Sequence, residues 1–583
     1  GAGGGARGRG RGGAGAGPRG GGARAGAGGP PGDAGKYGAQ EPKYESPGFL
    51  AEEAAGEGGT LYRFMGGELS RRIKKKAVHF LGVGGSGMSN LALLARWNGW
   101  AVSGSDVQES AKLEALRDEG VNVFVGHAPE NVQQSQGIIG LPDAVIVSSA
   151  VPEDNIELKT ALLCDVPVYR RDEWLGQITE GSAVAAVAGT HGKSSTTAMT
   201  AYVLQTVWGD LKAMVGGDVM QLPRQAGALW GDGPFFLVEA DEYARAFHQL
   251  APDWAVVTNV ELDHVDVYAS QAEFEQAFYH FICNVREGGV LLMNGDDAGG
   301  RAVLQRLRGE DTPFPLGGRR IMTYGLQRGS EWQAADLAPN DRGGVDYKVL
   351  RRGQEVCEVS LQLPGEHNVV NSLAALVSAS MLTVLRRRGR EVADTGIELP
   401  FPNTVTDADR NWDEVAGALN ECARVLEGFE GVRRRFEIVG EGNGFTVVDD
   451  YAHHPTEITA ALQAARQRFP GKPVWVVFEP HTYSRLQSFF DDLVLALGEA
   501  DRVIVTDVYG ARESIAGIQS MGGLEGLLAD QVRNAAPCEY ISSHSDIIQR
   551  LTFELSAEPQ EVAILTLGAG RVTSLGPQLL REL

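Results

Sequence analysis

The sequence predicts an α/β protein built from three parallel sheets, and three observations carry that reading. Short apolar runs alternate with helical stretches from Lys76 onward, the pattern of parallel strands joined by crossover helices. The runs end in polar, acidic or glycine-rich residues, at the edge where open α/β sheets bind their ligands. A strand–glycine turn–helix pattern occurs twice, at AVHFLGVGGSGM and at AVAAVAGTHGK. The chain has 583 residues, enough for about three domains at ~150 residues each.

Composition narrows the functional classes. Lysine and arginine number 53 against 75 acidic residues, a formal charge of −22. A nucleic-acid partner, whose footprint is a basic patch or stripe, is not expected, although a local basic pocket for an anionic small molecule is compatible with this charge. No apolar run reaches the ~20 residues of a membrane span. Cys164, Cys283, Cys357, Cys422 and Cys538 are far apart and form no C-x-x-C, so isolated reduced thiols are expected rather than disulfides or a zinc cluster.

Residues 1–75 read as a leader. Its first 35 positions are almost all Gly, Ala, Arg and Pro, with five arginines and one acid, Asp33. Such a segment buries too little apolar surface to offset its ordering entropy and is expected to be disordered. Arg-rich, acid-poor leaders resemble transit peptides, which predicts a eukaryotic, plastid-type destination. If the leader has no targeting role, the chain is expected in the cytoplasm.

The first unit, 76–178, opens on the strand AVHFL and its glycine turn. Gly82, Gly84 and Gly87 fit G-x-G-x-x-G, and Asp106 ends the next strand, as in the dinucleotide fingerprint. Its physical content is backbone close to a diphosphate at a helix N-terminus. A dinucleotide and a nucleotide-sugar diphosphate satisfy it equally.

The second unit, 179–424, carries GTHGKSS (189–195), a phosphate loop with two residues rather than four between its glycines. Backbone N–H groups of Gly189, Thr190, His191 and Gly192 can converge on an anion. Lys193 supplies positive charge for terminal phosphates, Ser194 a hydroxyl for magnesium, and a helix from Ser195 its dipole. VEADE brings Glu239, Asp241 and Glu242, and VELDHVD brings Glu261, Asp263, His264 and Asp266, each at a predicted strand end. The segment 384–414, rich in Pro, Asn and charge, reads as a long surface loop or linker.

The third unit, 425–583, carries DDYAHHPTE (449–457) and EPHTYSR (479–485). Their histidines and Arg485 make a cationic cluster suited to a carboxylate, which Arg can pair bidentately. GVRRRF (431–436) sets three arginines at the entry to this unit, where one could reach a γ-phosphate across a cleft.

GTHGKSSTT, EADE, TNVELDHVD, PGEHNVVN, GVRRRF, DDYAHHPTE and EPHTYSR occur in the order found in Mur ligases, and the sequence resembles that family over roughly residues 76–575. HFLGVGGSGMSNLA, VSGSD and the adjacent histidines resemble its alanine-adding branch, with the tripeptide-adding ligases the nearest alternative and a relict homologue that binds nucleotide without turnover the other. The resemblance implies three domains: a Rossmann-like one for UDP, a P-loop one for ATP, and a second Rossmann-like one for the amino acid. It implies an ATP-dependent ligase joining L-alanine to UDP-N-acetylmuramate, with Mg2+, for peptidoglycan precursors.

The resemblance also implies residue roles. Gly84, Gly85, Ser86, Gly87, Met88 and Asp106 would hold UDP. Gly189 to Ser195 with His367, Asn368, Asn371, Arg435 and Asp450 would hold ATP. Ser194 and Glu239 would ligate one magnesium, and His264 a second ion. Tyr451, His453, His481 and Arg485 would form the amino-acid pocket, with His453 the base for the amine. Two departures stand out: Lys193-Ser194-Ser195 replaces the family's frequent Lys-Thr-Thr, and EADEYARAF its EADESDASF.

Overall fold

The computed structural model describes residues 76–133, 140–222, 227–308, 319–393, 412–511, 513, 523–557 and 561–582. The leader, with the disorder and targeting read from it, lies outside the described residues.

Three sheets succeed one another along the chain. The first contains β1 (Ala77–Leu81), β2 (Ala101–Asp106), β3 (Asn122–Val125), β4 (Ala144–Val147) and β5 (Val168–Arg170), in the order β3-β2-β1-β4-β5. All its pairings are parallel. The strand order reverses between β1 and β4, which opens a crevice beyond their carboxyl ends.

The second sheet contains β6 (Ala183–Ala188), β7 (Lys212–Met214), β8 (Ala228–Leu229), β9 (Phe235–Glu239), β10 (Trp254–Val257) and β11 (Val290–Asn294). It continues with β12 (Arg320–Gly325), β13 (Trp332–Pro339), β14 (Val345–Arg351) and β15 (Gln354–Leu361). Its order is β15-β14-β13-β12-β11-β10-β6-β9-β7-β8. β6 lies between β9 and β10, parallel to both, so the loop after it opens between the ends of those two strands. β14, β15 and β8 are antiparallel additions at the two edges.

The third sheet contains β16 (Glu437–Gly442), β17 (Phe445–Asp450), β18 (Val474–Phe478), β19 (Arg502–Val505), β20 (Cys538–Tyr540) and β21 (Val562–Leu567), in the order β16-β17-β21-β18-β19-β20. Only β16 runs antiparallel to its neighbour. All five residues of VWVVF in β18 and all six of VAILTL in β21 are buried, as strands covered by helices on both faces require. The five cysteines are free thiols.

The helix Glu366–Ala393 is the core element of the central region, packed against Lys193–Trp208 and Trp412–Leu426. Among the described residues it is the one helix with a stretch, 366–389, long and apolar enough to cross a membrane, and the 18-residue apolar segment within it is 94% buried inside the protein. Two hydroxyls on it serve the sheet: Ser378 Oγ accepts from Trp254 Nε1 at 3.0 Å, and Ser372 Oγ lies 2.7 Å from the Tyr347 hydroxyl.

This helix corrects the expected loop at 384–414. Residues 384–393 continue the helix, 394–411 lie outside the described residues, and a new helix begins at Trp412. Val384 and Leu385 are buried, and Arg386 forks onto Asp210, with Nη1–Oδ1 2.5 Å and Nη2–Oδ2 2.6 Å. The arginine run is therefore one flank of a core helix, not linker charge.

Candidate active site

The first glycine turn follows β1. Gly82 has φ +76°, and Gly84 N donates to Asp106 Oδ2 at 2.9 Å. Asp106 thus ties the end of β2 to the turn. The helix Ser86–Trp97 starts behind Gly85, which caps it without a side-chain hydrogen bond, so the first amides face outward for an anion. Met88 packs its side chain into the core, leaving its backbone as the part that can meet a ligand.

The second turn follows β6. Gly189 (φ +139°) and Gly192 (φ +79°) are both in the left-handed region. A Cβ on Gly189 would collide with Thr258 Oγ1, and one on Gly192 with Asn371 Oδ1. The helix begins at Lys193, two residues before the expected Ser195. Lys193 Nζ folds back onto its own loop, donating to Gly189 O at 2.6 Å and Thr190 O at 3.0 Å, and it pairs with the Glu242 carboxylate at 2.8 Å. Ser194 Oγ donates to Glu239 Oε1 at 2.9 Å, and Gly216 N donates to Glu239 Oε2 at 2.7 Å. Burial raises the Glu239 carboxyl despite Lys193 nearby.

His264 stands in a separate group from Ser194 and Glu239. Its Nε2 lies 3.3 Å from Glu242 Oε1, and donor atoms of Asp241, Glu242 and His264 all lie within 4.8 Å of one another. Burial opposes its charge, but Glu242, Asp263 and Asp241 outweigh this and raise its pKa. Two hard-donor groups therefore flank the loop: Ser194 with Glu239, and Asp241 with Glu242 and His264. Their hydroxyl and carboxylate oxygens fit magnesium, which takes few protein ligands beside phosphate oxygens.

On the far side of the loop a cavity of about 300 Å3 is lined by His191, His367, Asn368, Asn371, Arg435 and Asp450, among others. Burial, then Arg435, lower His367 to about 4, so its ring is neutral. Asn368 Nδ2 is already committed to Pro364 O at 2.8 Å. Asp450 accepts from Phe436 N at 2.7 Å and Ala452 N at 2.8 Å, and burial raises it to about 6.

Tyr451, His453 and His481 lie together beyond β17 and β18, with ring centroids 5.5 Å and 5.4 Å apart in succession. His453 Nδ1–H points at Tyr451 O, 2.9 Å away, which leaves Nε2 with the lone pair. Burial lowers His453 to about 4 and His481 to about 3. Arg435 and Arg434 both lie over the Tyr451 ring.

Arg485 departs from expectation. Its Nε and Nη2 donate to Asp263 Oδ1 at 2.9 and 2.8 Å, and Nη1 to His481 O at 2.8 Å. Both members of the pair are buried. The guanidinium thus fixes the third unit to the second rather than opening onto a substrate carboxylate.

A second junction lies beside it. His191 Nε2 is 3.1 Å from Glu261 and Nδ1 3.1 Å from Glu457. Burial opposes the charge, but the two carboxylates prevail and raise His191 to about 9. Sequence reasoning missed these pairings, and it missed Arg171, whose Nη2 lies 2.9 Å from Asp241 Oδ2. The signal available for Arg171 was its place just past a strand's carboxyl end.

The same order of parts occurs in known proteins. Residues 77–182 match the Mur ligase family catalytic domain, 187–379 the Mur ligase middle domain and 434–570 the Mur ligase glutamate ligase domain. The chain belongs to the Mur ligase family. It is 38% identical over 532 residues to UDP-N-acetylmuramate--L-alanine ligase of Frankia casuarinae, covering 87% of this chain and 97% of that one. The solved UDP-N-acetylmuramate-alanine ligase of Thermotoga maritima superposes with TM-score 0.65 at 25% identity, covering 87% and 98%. The murein peptide ligase of Psychrobacter arcticus shares the fold, with TM-score 0.58 at 23% identity over 87% and 98% of the two chains. The plastid reading of the leader finds no support in these relatives.

Proposed function

We propose that this Mur ligase joins L-alanine to the carboxylate of UDP-N-acetylmuramate, consuming ATP and releasing ADP and phosphate. The observation that carries the reading is a cavity of about 670 Å3 whose wall runs from Gly87 past Ser194 and Glu239 to Arg435 and Tyr451. A nucleotide-sugar acid lying along it would have its diphosphate at the first glycine turn and its carboxylate at the P-loop. We assign 76–178 to UDP binding, 179–424 to ATP and 425–583 to the amino acid.

In this reading the first amides of the helix, residues 86–88, hold the diphosphate, while Gly84 N stays on Asp106. The loop 189–195 holds the ATP phosphates, and His367, Asn368 and Asn371 line the adenine side. Lys193 leaves Glu242 for the terminal phosphates, and Arg435 approaches them from the third domain. Ser194 and Glu239 would hold one Mg2+, and His264 with Asp241 and Glu242 a second; when bound, the ions neutralise phosphate charge.

A carboxylate oxygen of the substrate attacks the γ-phosphorus, forming an acyl phosphate and ADP. The work of this chain is positioning and charge neutralisation, the main demands of phosphoryl transfer. The alanine amine then attacks the acyl carbon, and phosphate leaves with the oxygen it gained. The Arg485–Asp263 and His191–Glu457 junctions hold the third domain against the loop, keeping water from the acyl phosphate. Tyr451, His453 and His481 form the amine side. At about 4, His453 Nε2 is a weak base, suited to a proton already made acidic by bond formation.

ADP release tests this: it is expected only with UDP-N-acetylmuramate and L-alanine together with MgATP. Folded protein giving no ADP above background contradicts it.

A further inference from the structure

Arg171 stands outside every role assigned above. It is the first residue of the helix Arg171–Ile178, which is anchored in the N-terminal core by buried Trp174. Its guanidinium reaches in three directions. Nε lies 3.0 Å from Asp172 Oδ1, within the same turn, and Nη2 lies 2.9 Å from Asp241 Oδ2, in the central domain. Nη1 lies against Gly87, where a Cβ would come within 3.0 Å of it. Gly87 is the second residue of the glycine-turn helix, so any larger residue there would press on this side chain.

Arg171 therefore touches both ends of the path the substrate must take. Gly87, Arg171 and Asp241 line the same 670 Å3 cavity as Ser194, Glu239 and Arg435. Nη1 has no protein partner among the described residues, and it borders that cavity beside outward-facing helix amides. A guanidinium with two edges held by carboxylates and a third directed at an anion site has its fork fixed in advance.

Resting on the UDP-N-acetylmuramate reading, we propose that Arg171 is a substrate-positioning residue. Its Nη1 edge takes a diphosphate oxygen of the nucleotide-sugar at the start of the helix Ser86–Trp97, while Nη2 keeps its hold on Asp241. Diphosphate binding then sets the N-terminal domain against the acidic group beside the P-loop, and aims the substrate carboxylate at the γ-phosphate. Both contacts carry charge, so loss of the fork weakens substrate binding, and loss of the link to Asp241 lowers turnover as well.

The test is equilibrium binding to the full chain by calorimetry, without ATP or metal, using UDP-N-acetylmuramate and UDP-N-acetylglucosamine, which lacks the lactoyl carboxylate. Arg171→Ala is expected to weaken both by a similar factor, about 10- to 100-fold for a charged hydrogen bond, with ATP-analogue binding unchanged. Arg171→Lys, which keeps the charge and loses the fork, is expected to recover part of the binding and to serve where the alanine variant does not fold. Arg117→Ala, a partly exposed arginine of the same domain paired with Glu109, is expected to bind as wild type. In turnover, KM for UDP-N-acetylmuramate should rise and kcat should fall, with KM for ATP constant.

Three results would overturn the proposal. One is unchanged binding in both Arg171 variants. Another is parallel loss of ATP-analogue binding, which would make the role structural. The third is weakening confined to UDP-N-acetylmuramate, which would move the contact to the carboxylate. Wild-type protein that binds neither nucleotide-sugar would instead overturn the proposed function.

Discussion

The two glycine turns share a local plan and differ in their surroundings. Both follow a buried parallel strand and open a helix. At the first, Asp106 accepts from Gly84 N and braces the backbone. At the second, Lys193, Ser194, Glu239 and Glu242 pair with one another around the loop, and His191 reaches into the third domain. Glycine spacing specifies an approach for phosphate, while the charges around the loop decide between binding and chemistry.

The largest effect is expected from Lys193→Ala. It removes a preorganised charge from the transferring phosphate, and should lower kcat by on the order of 10²–10³-fold while leaving UDP-N-acetylmuramate binding unchanged. The first turn, residues 82–87, holds no charged residue of its own, so a similar loss of turnover in Asp106→Ala would put the two turns on the same footing.

A smaller, graded effect separates the glycines themselves. Alanine at Gly189 meets both a left-handed φ and the Thr258 hydroxyl, and should destabilise the fold by about 1–3 kcal/mol and abolish ATP binding. Alanine at Gly84 meets the Asp106 carboxylate, Oδ2 at 2.9 Å and Cγ at 3.2 Å, which is the movable end of a side chain, and Leu113 Cδ2 at an ordinary contact distance of 3.5 Å. It should raise KM for the nucleotide-sugar with little change in melting temperature. Thermal unfolding and the two KM values check the pair.

The smallest effect is pH-dependent. His191 titrates near 6.5 when unfolded and at about 9 in the folded protein. Its contribution is therefore full below pH 6.5 and fades as pH rises through 9. Glu261 and Glu457 lose their cation over that interval. Melting temperature should fall between pH 6.5 and 9 more in wild type than in His191→Asn. Parallel slopes would show that the junction adds nothing.

How much of this was legible depends on the range of the interaction. Strands such as VWVVF and VAILTL, buried on both faces, were readable as apolar runs, and the loop residues at their ends fell where sheet topology puts ligands. The antiparallel strands β13 to β15 went unnamed, although VDYKVLR alternates and the Arg352–Gly353 turn, with φ +50° and +82°, marks a hairpin. The segment 384–393 was misread because charge hid a helix whose apolar face is buried and whose Arg386 pairs with Asp210, 176 residues away. Arg485 with Asp263 and Arg171 with Asp241 are of the same kind. Local pattern shows which residues are charged, and only the fold shows which opposite charge has already claimed them.

The proposed ligation turns on phosphoryl transfer from the P-loop nucleotide to the substrate carboxylate. Oxygen-18 placed in the carboxylate of UDP-N-acetylmuramate tests it most directly, with product phosphate read by mass spectrometry. One labelled oxygen is expected in each phosphate released during L-alanine addition. Unlabelled phosphate accompanying amide formation would contradict it.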